Sequence, residues 1–198
     1  QKSVDELGSC FASVTQAHPP LHDADWIFDV LRASQFVAGH LKHYQENRDL
    51  LGPNLIGNLE QALTFNFEDM AKAQASHGEL YRRFLSYMDD FDILLCPVTG
   101  APAFDKGTLF PTHIEGKHVR TYFHWLAPAY GITLTAHPAI SIPCGYDADG
   151  MPFGLQVVAK RGEDARLLGI AAALEKQIAM TPGLGRPTPN LTKLTAAS

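Results

Sequence analysis

The residues of this chain that could attack a substrate are a cysteine and a histidine in one short segment. Cys144 follows His137 by 7 positions, and a thiol held beside an imidazole can become an activated nucleophile. Spacing in sequence alone does not place two side chains together in the fold. Cys144 also ends an apolar run over residues 139–143, where a cysteine usually behaves as a small buried hydrophobe. We therefore favour a structural role for Cys144 over a thiol–imidazole pair.

A group of histidines is the next candidate, for binding a metal ion. His113, His118 and His124 fall within 12 residues, with Asp105 and Glu115 as carboxylate candidates. Their spacings match no standard ligand motif for zinc or another transition metal. The sequence therefore predicts no metal site, and it predicts no cofactor.

The composition is that of an ordinary globular protein. The chain has 198 residues, 45% of them hydrophobic, and a formal net charge of −5 with both signs interspersed. This length supports one core, so residues 1–198 are predicted to form a single domain with residues 182–198 as an extended tail. The charges form no basic stripe for nucleic acid. No apolar run reaches the roughly 18 residues that predict a membrane span.

The cysteines bear on the cellular compartment. Cys10, Cys96 and Cys144 are odd in number and far apart, which argues against a disulfide framework. We therefore expect a reducing cytoplasm. The chain begins with Gln1 rather than Met, so we also expect that an upstream part has been removed or was never included. No signal peptide is visible.

Helical and strand-like patterns along the chain predict an α/β fold that positions these residues. Apolar residues at steps of three or four predict helices from Trp26, over about residues 66–89, and from Asp164. Short apolar runs predict strands of one mixed sheet near Cys10, Ile93, Ile140 and Val157. Residues 100–121 show no period, and irregular segments of that length are often functional.

Four segments, in this order, resemble the C-terminal hallmark of the amidase signature family. Residues 92–97 resemble its "fDvLltPt" segment, and residues 133–145 resemble "N-x-x-G-x-P-A-x-S-x-P-x-G". Residues 150–156 resemble "G-L-P-x-G-x-Q", and residues 166–175 resemble the closing "LL…A…LE" helix. Together they span residues 92–175, which is somewhat under half of the chain.

The chain departs from this pattern at two positions of the second segment. Thr133 stands where many members carry asparagine, and Ala136 stands where they carry glycine. Pro138 and Pro143 lack an N–H donor and are expected to fix the ends of the short strand between them. These are scaffold roles, since none of the four residues transfers a proton.

The resemblance implies an incomplete part of the amidase signature α/β/α fold and hydrolysis of a carboxamide C–N bond. Members use a serine nucleophile, a second serine in a cis peptide and a buried lysine base, whose pKa burial lowers. No two of the eight serines here are adjacent, and lysines such as Lys42, Lys72 and Lys160 lie in polar stretches. We therefore expect no catalytic residue in this chain, a Ser-Ser-Lys triad upstream of it, and no activity from the isolated chain.

The resemblance also implies that this region helps to enclose a small-molecule amide substrate. The loop after the strand at Ile93 and the segment before the hallmark would line the acyl side. The candidate substrate-binding residues are Thr99, Ala101, Tyr122, Trp125, Leu126 and His137. An aromatic, apolar wall favours a hydrophobic or aryl amide. The alternative interpretation is that the aromatic residues belong to the core.

Other interpretations stay open at this point. The chain could be a non-catalytic folded fragment or a self-associating structural module, with a homodimer formed through an exposed sheet edge or apolar surface. It could also be an unrelated thiol or metal hydrolase. The sequence does not separate a hydrolase from an amidotransferase subunit.

Overall fold

The computed structural model describes residues 2–186, 188 and 191, and within them the chain forms six helices and five strands. The helices are α1 Lys2–Glu6, α2 Ala24–Glu46, α3 Pro53–Ala62, α4 Phe67–Tyr87, α5 Ala127–Leu134 and α6 Asp164–Met180. The strands are β1 Ile93–Pro97, β2 His113–Ile114, β3 Lys117–His118, β4 Ala139–Tyr146 and β5 Pro152–Ala159. None of these helices is both long and apolar enough to span a membrane.

The main sheet has three strands in the order β1-β5-β4. β5 pairs antiparallel with both neighbours, and Val157 lies opposite Leu95 on one side and Ile140 on the other. The predicted α/β class is confirmed, but every strand pair in the described residues is antiparallel rather than mixed. For β4 and β5 the reason is the tight turn at residues 147–150, which joins these two strands as a hairpin.

The predicted strand near Cys10 is wrong. Residues Gly8–Cys10 form one turn of 3-10 helix, in which the backbone N–H of Cys10 donates to the carbonyl of Leu7 at 2.9 Å. Leu7 is fully buried in the main core. Val4 and Phe11 pack against the same core, so apolar contacts hold the segment against the domain without a sheet partner for its backbone.

Helices cover both faces of the main sheet. Alternate side chains of β5 point to opposite faces, so Val157 packs in a cluster with Leu174 of α6. Its neighbour Val158 packs with Phe84 of α4 and Ile132 of α5. The sheet is therefore the middle layer of an α/β/α arrangement, with α4 and α5 on the face away from α6.

The predicted helices from Trp26, over residues 66–89 and from Asp164 are confirmed, although their buried faces differ in part. α4 begins at a capping box, in which the Asn66 side chain accepts from two backbone N–H groups and Asp69 accepts from the Asn66 N–H. The apolar spacing predicts Phe67 on the buried face of α4 and Leu168 on that of α6, but both are exposed, Phe67 at 88%. Leu168 lies to the side of the stripe that Leu167 and Ala171 form, and Phe67 is the first residue of α4, away from its buried residues.

The chain continues past α6 with a turn. The N–H of Leu184 donates to the carbonyl of Thr181 at 3.1 Å, and Leu184 is buried against the main core. The predicted extended tail covers residues 182–198, most of which lie outside the described residues. The single-domain organisation and the tail both stay predictions.

Candidate functional site

A cavity of about 650 Å³ lies where α5 ends and β4 begins. The hallmark segment supplies much of its wall, through Thr133, Ala136, His137, Pro138 and Ala139. The other lining residues are Ala129, Ile132, Gln156, Arg161, Gly162 and Asp164. The lining of the cavity therefore mixes apolar and polar residues, and it includes a charged pair, Arg161 and Asp164, where α6 begins.

The turn from α5 into β4 shapes this wall. The buried Thr135 hydroxyl donates to the carbonyl of Ile132 at 2.7 Å, which ends the helix with a local side-chain bond. Ala136 then takes a φ of 54°, in the left-handed region that glycine occupies at least cost. This explains why a glycine is the usual residue at this position in the hallmark. The reversal points the following residues into β4.

His137 and Gln156 are the polar residues of the wall that are most buried, each at 7% exposure. Nδ1 of His137 lies 2.9 Å from the carbonyl oxygen of Thr135. A carbonyl only accepts, so Nδ1 carries the proton in the neutral ring and Nε2 carries the lone pair. The ring packs edge-on against Phe84, with the ring centroids 4.8 Å apart. Nε2 is buried and has no hydrogen-bond partner among the described residues.

The environment of His137 favours this neutral form. Burial lowers the pKa of the imidazole, and the positive charge of Arg161 lowers it further, while the bond to Thr135 opposes both effects. An unpaired lone pair in a buried site costs free energy comparable to a lost hydrogen bond. A group that donates a hydrogen bond would recover that cost.

A second, smaller cavity of about 320 Å³ follows β1. Thr99 and Ala101 line it, and the Thr99 hydroxyl donates to the carbonyl of Ala101 at 2.9 Å. A Cβ at Gly154 would lie 3.1 Å from the Ser141 hydroxyl and 3.2 Å from Val98, so a small residue is needed for this close approach. Two of the predicted substrate-binding residues therefore lie in this cavity and His137 lies in the other.

The remaining predicted residues, Tyr122, Trp125 and Leu126, line neither cavity. The Trp125 ring meets Phe104 edge-on at 5.3 Å, and its backbone carbonyl accepts from the N–H of Gly100 at 2.7 Å. The Tyr122 hydroxyl accepts from Arg32 of α2 at 2.9 Å. Residues 122–126 thus connect α2 to the loop of the second cavity, which gives the aromatic residues a packing role that the sequence left open.

The buried carboxylate of Asp29 holds residues 122–126 against α2. No motif in the sequence pointed to this residue. Asp29 of α2 lies 2.8 Å from Nε2 of His124, and it accepts from Arg120 at 3.3 Å and Gln61 at 3.4 Å. His124 had been considered as a metal ligand together with His113 and His118, which face each other across β2 and β3 instead. The described residues contain no group of three or more His, Cys, Asp or Glu placed to hold a metal ion.

The cysteine and histidine considered as a nucleophilic pair serve separate clusters. Cys144 packs in the main core beside Leu7 and is 1% exposed, whereas His137 packs on Phe84. Burial raises the pKa of the Cys144 thiol. That shift is opposite to the one a reactive thiolate needs.

The glutamine of the third hallmark segment also has a visible role. Gln156 is buried on β5 directly opposite Cys96 of β1. Its amide donates to the Cys96 sulfur at 3.2 Å and to the Pro128 carbonyl at 3.4 Å. It therefore ties β1 to the start of α5, between the two cavities.

A family model described as amidase matches residues 42–168. The chain belongs to the amidase signature family. Curated relatives include an acylamidase of Rhodococcus erythropolis, 28% identical over 176 residues that cover 87% of this chain and 36% of that protein. A fatty acid amide hydrolase of Medicago truncatula is 31% identical over 115 residues, covering 57% of this chain and 18% of that protein. This amidase-family chain thus spans well under two thirds of the length of either relative.

Solved structures show the amidase fold. A crystal structure of an amidase matches with a TM-score of 0.78 at 24% identity, covering 89% of this chain and 40% of that chain. A bacterial aryl acylamidase of the amidase signature family matches with a TM-score of 0.70 at 22% identity, covering 94% and 42%. Nearly all of this amidase-family chain therefore corresponds to one part of a larger fold.

Proposed function

We propose that this chain is the C-terminal portion of an amide hydrolase and that the complete protein cleaves the C–N bond of a small carboxamide. The supporting observation is the 650 Å³ cavity, because the hallmark segment of an amidase-family chain builds its wall. The named relatives are an acylamidase and a fatty acid amide hydrolase. In the proposed reaction a serine attacks the amide carbonyl, backbone N–H groups stabilise the oxyanion, and ammonia or an amine leaves.

The nucleophile and its base are proposed to lie upstream of these residues. A lysine base needs burial to lower its pKa, and the described lysine side chains are exposed or half-buried. Lys72 pairs with Glu68 on the surface, and Lys160, the half-buried one, donates to the carbonyl of Asp89. These observations support the proposal that the isolated chain has no hydrolase activity.

Within this proposal the chain supplies substrate-binding residues. Thr99 and Ala101 would contact the substrate from the smaller cavity, and His137 from the larger one. Tyr122, Trp125 and Leu126 would contribute to substrate binding indirectly, by positioning the loop of the smaller cavity. An apolar or aryl acyl group is the proposed substrate. The three unpaired cysteines are in keeping with a cytoplasmic location.

A fluorophosphonate probe that labels activated serines tests the location of the nucleophile. The 198-residue chain and a longer chain that adds the upstream sequence are treated in parallel and read by intact mass. Labelling and hydrolysis of an aryl amide by the longer chain alone are the expected results. Stoichiometric labelling of the short chain would overturn the proposal, since one of its own eight serines would then be the nucleophile.

A self-associating module is the second candidate. β1 and β4 each have a sheet partner on one side only within the described residues, and unpaired edges favour association with another chain. We would measure the mass of the chain by sedimentation over a hundredfold range of concentration. A concentration-dependent dimer supports this candidate, and a constant monomer mass removes it.

A further inference from the structure

We propose that His113 and His118 form a two-imidazole site for a divalent transition-metal ion of the copper(II) and nickel(II) class. Their spacing in the sequence matches no metal motif, but the two residues lie directly opposite each other in the pairing of β2 with β3. Two protein ligands leave the other coordination positions to water, unlike the four protein ligands of a structural zinc site. The bound ion is therefore exchangeable, and the site is independent of the amide chemistry proposed above.

A two-residue turn fixes the histidines opposite each other. Glu115 and Gly116 have φ angles of 48° and 77°, and two successive positive φ values define a type I′ hairpin turn. The strand pairing then places His113 opposite His118, one step beyond the pair that closes the turn. Because the turn type sets the register of a hairpin, the backbone holds this pair in place.

The hydrogen bonds of the hairpin bring the two side chains close together. Along an antiparallel pair of strands, hydrogen-bonded and non-hydrogen-bonded positions alternate, and opposite side chains are closer at the non-hydrogen-bonded ones. One step further from the turn, the N–H of Val119 donates to the carbonyl of Thr112 at 2.8 Å. His113 and His118 therefore occupy a non-hydrogen-bonded position, where two imidazoles can reach the same ion.

The positions of the rings suit one shared metal ion. The ring centroids of His113 and His118 are 5.5 Å apart, and the ring planes are inclined by 79°. A metal–nitrogen bond of about 2 Å puts a ring centroid roughly 3 Å from the ion, so two imidazoles on one ion have centroids about 4.5–6 Å apart. Nδ1 of His113 also lies 3.2 Å from the Thr112 hydroxyl. Such a bond orients a ligand ring and leaves its Nε2 for the ion.

Solvent access and ligand type indicate which ions fit. His113 and His118 are exposed, whereas Val119 is buried and its side chain points to the other face of the hairpin. An ion can therefore reach both rings, and the rings can turn toward it without disturbing the core. Neutral imidazole suits copper, nickel and zinc, while magnesium and calcium prefer oxygen ligands. Cu²⁺ binds a given set of nitrogen ligands most tightly among these ions, so it is the probe for the test.

The fixed pair should bind more tightly than a single histidine. Once one imidazole holds the ion, the second binds it intramolecularly at a high effective concentration. Loss of either ring should therefore weaken binding at least about tenfold. A rival pair is His40 and His43, three positions apart on α2, where the His40 ring packs on Phe36 with the centroids 4.6 Å apart.

The test is a titration of the 198-residue chain with Cu²⁺ at about pH 7.5, where an imidazole is mostly neutral. Competition with glycine gives the affinity. Electron paramagnetic resonance of the complex without glycine, with ¹⁵N-labelled histidines, counts the imidazoles bound to the ion. We expect two imidazoles in the wild-type chain, and one imidazole with at least about tenfold weaker binding in His113→Asn and in His118→Asn. His43→Asn should bind like the wild type.

A variant of identical composition tests the geometry of the pair. The double substitution Lys117→His with His118→Lys exchanges two neighbouring residues of β3, so the charge and the number of histidines stay the same. The histidine of β3 then points to the opposite face from His113, and binding should be as weak as in His118→Asn. Equal affinity of the wild type and the exchanged variant, a single bound imidazole in the wild type, or loss of the tight site in His43→Asn overturns the proposal.

The longer chain that adds the upstream sequence separates this inference from the proposed function. The signal of two bound imidazoles should persist in that chain. Its loss would show that the remainder of the protein covers the β2–β3 hairpin, and the metal site would be overturned for the complete protein. Fluorophosphonate labelling of the same chain reports on the amide hydrolase whether or not Cu²⁺ binds.

Discussion

Nε2 of His124 and Oδ1 of Asp29 lie 2.8 Å apart in a site where both side chains are at least nine-tenths buried. Asp29 is on α2, and His124 begins the single turn of helix that precedes α5. The contact therefore fixes residues 120–126 against a helix that is almost 100 positions away in sequence. The position of Trp125, and through it the loop of the smaller cavity, depends on this pair.

Removal of the Asp29 carboxylate should lower the free energy of unfolding. Asp29→Ala leaves the buried His124 ring and the half-buried Gln61 amide without their acceptor, and we expect the free energy of unfolding to fall by about 3 kcal/mol. Urea denaturation followed by circular dichroism measures this change. Glu68→Ala is the matched control, because it removes the exposed Glu68–Lys72 pair and should cost about 0.5 kcal/mol or less. Equal losses in the two variants would contradict the buried role of Asp29.

Replacement of Ala136 by glycine should make the protein more stable. A residue with a Cβ pays about 1–2 kcal/mol at a φ of 54°, and the added freedom of glycine in the unfolded chain offsets part of that gain. We expect Ala136→Gly to raise the free energy of unfolding by about 0.5–1 kcal/mol. Ala75→Gly, at an exposed position of α4, makes the same chemical change and should lower it by a similar amount. A loss of stability in both variants would rule out the strain at Ala136.

Gly145 should not accept a side chain. Its φ is 75°, and a Cβ built there would lie 2.5 Å from the carbonyl oxygen of Gly183 in the turn after α6. Gly145→Ala combines left-handed strain with a backbone clash, and we expect a loss of about 3 kcal/mol or more in denaturant unfolding. Gly150→Ala has nearly the same φ but open space around the Cβ, so it should lose only about 1 kcal/mol. Similar losses would show that the turn after α6 moves aside.

Cys10 and Cys144 should differ in their rates of alkylation. Cys10 is exposed, whereas Cys144 is buried in the main core with a pKa that burial raises. We expect iodoacetamide to modify Cys10 at least roughly tenfold faster than Cys144 in the folded protein. Peptide mapping of a time course measures both rates, and Cys144→Ser identifies the slow site. Rapid alkylation of Cys144 would revive the thiol nucleophile that the packing argues against.

The helices and most strands could be predicted because their signals are local. Periodic apolar residues and the Asn66 cap define α4, and the turn before Gly150 defines the β4–β5 hairpin. The false strand at Cys10 shows the limit, since a short apolar run does not reveal that Leu7, Val4 and Phe11 pack on the core from a helical turn. The apolar pattern of a helix also does not fix the exact angle of its buried stripe, which is why Phe67 and Leu168 are exposed.

The candidate site could be predicted only in part, because its pieces meet through tertiary contacts. The hallmark segment correctly indicated the amidase family, and its sequence placed His137 beside the other hallmark residues. The Asp29–His124 contact had no signal, since neither residue lies in a motif and the apolar residues beside each, such as Phe28 and Trp125, do not reveal which polar group it meets. Nor did the sequence reveal that Thr99 and His137 line two different cavities.

His137 should make the stability of the protein depend on pH in the acid range. Burial lowers its pKa in the folded state below the ordinary value of about 6.5, so the unfolded chain takes up the proton first as the pH falls. The lowered pKa of His137 has no effect on the free energy of unfolding above about pH 7. It lowers that free energy progressively as the pH falls from about 6.5 through the folded-state pKa. We expect the difference in free energy of unfolding between wild type and His137→Phe to move in favour of the variant between about pH 7.5 and pH 5. Parallel urea titrations at several pH values measure this difference, in which the other eight histidines are common to both proteins. A difference that is constant with pH would mean that the ring charges equally well in the folded state.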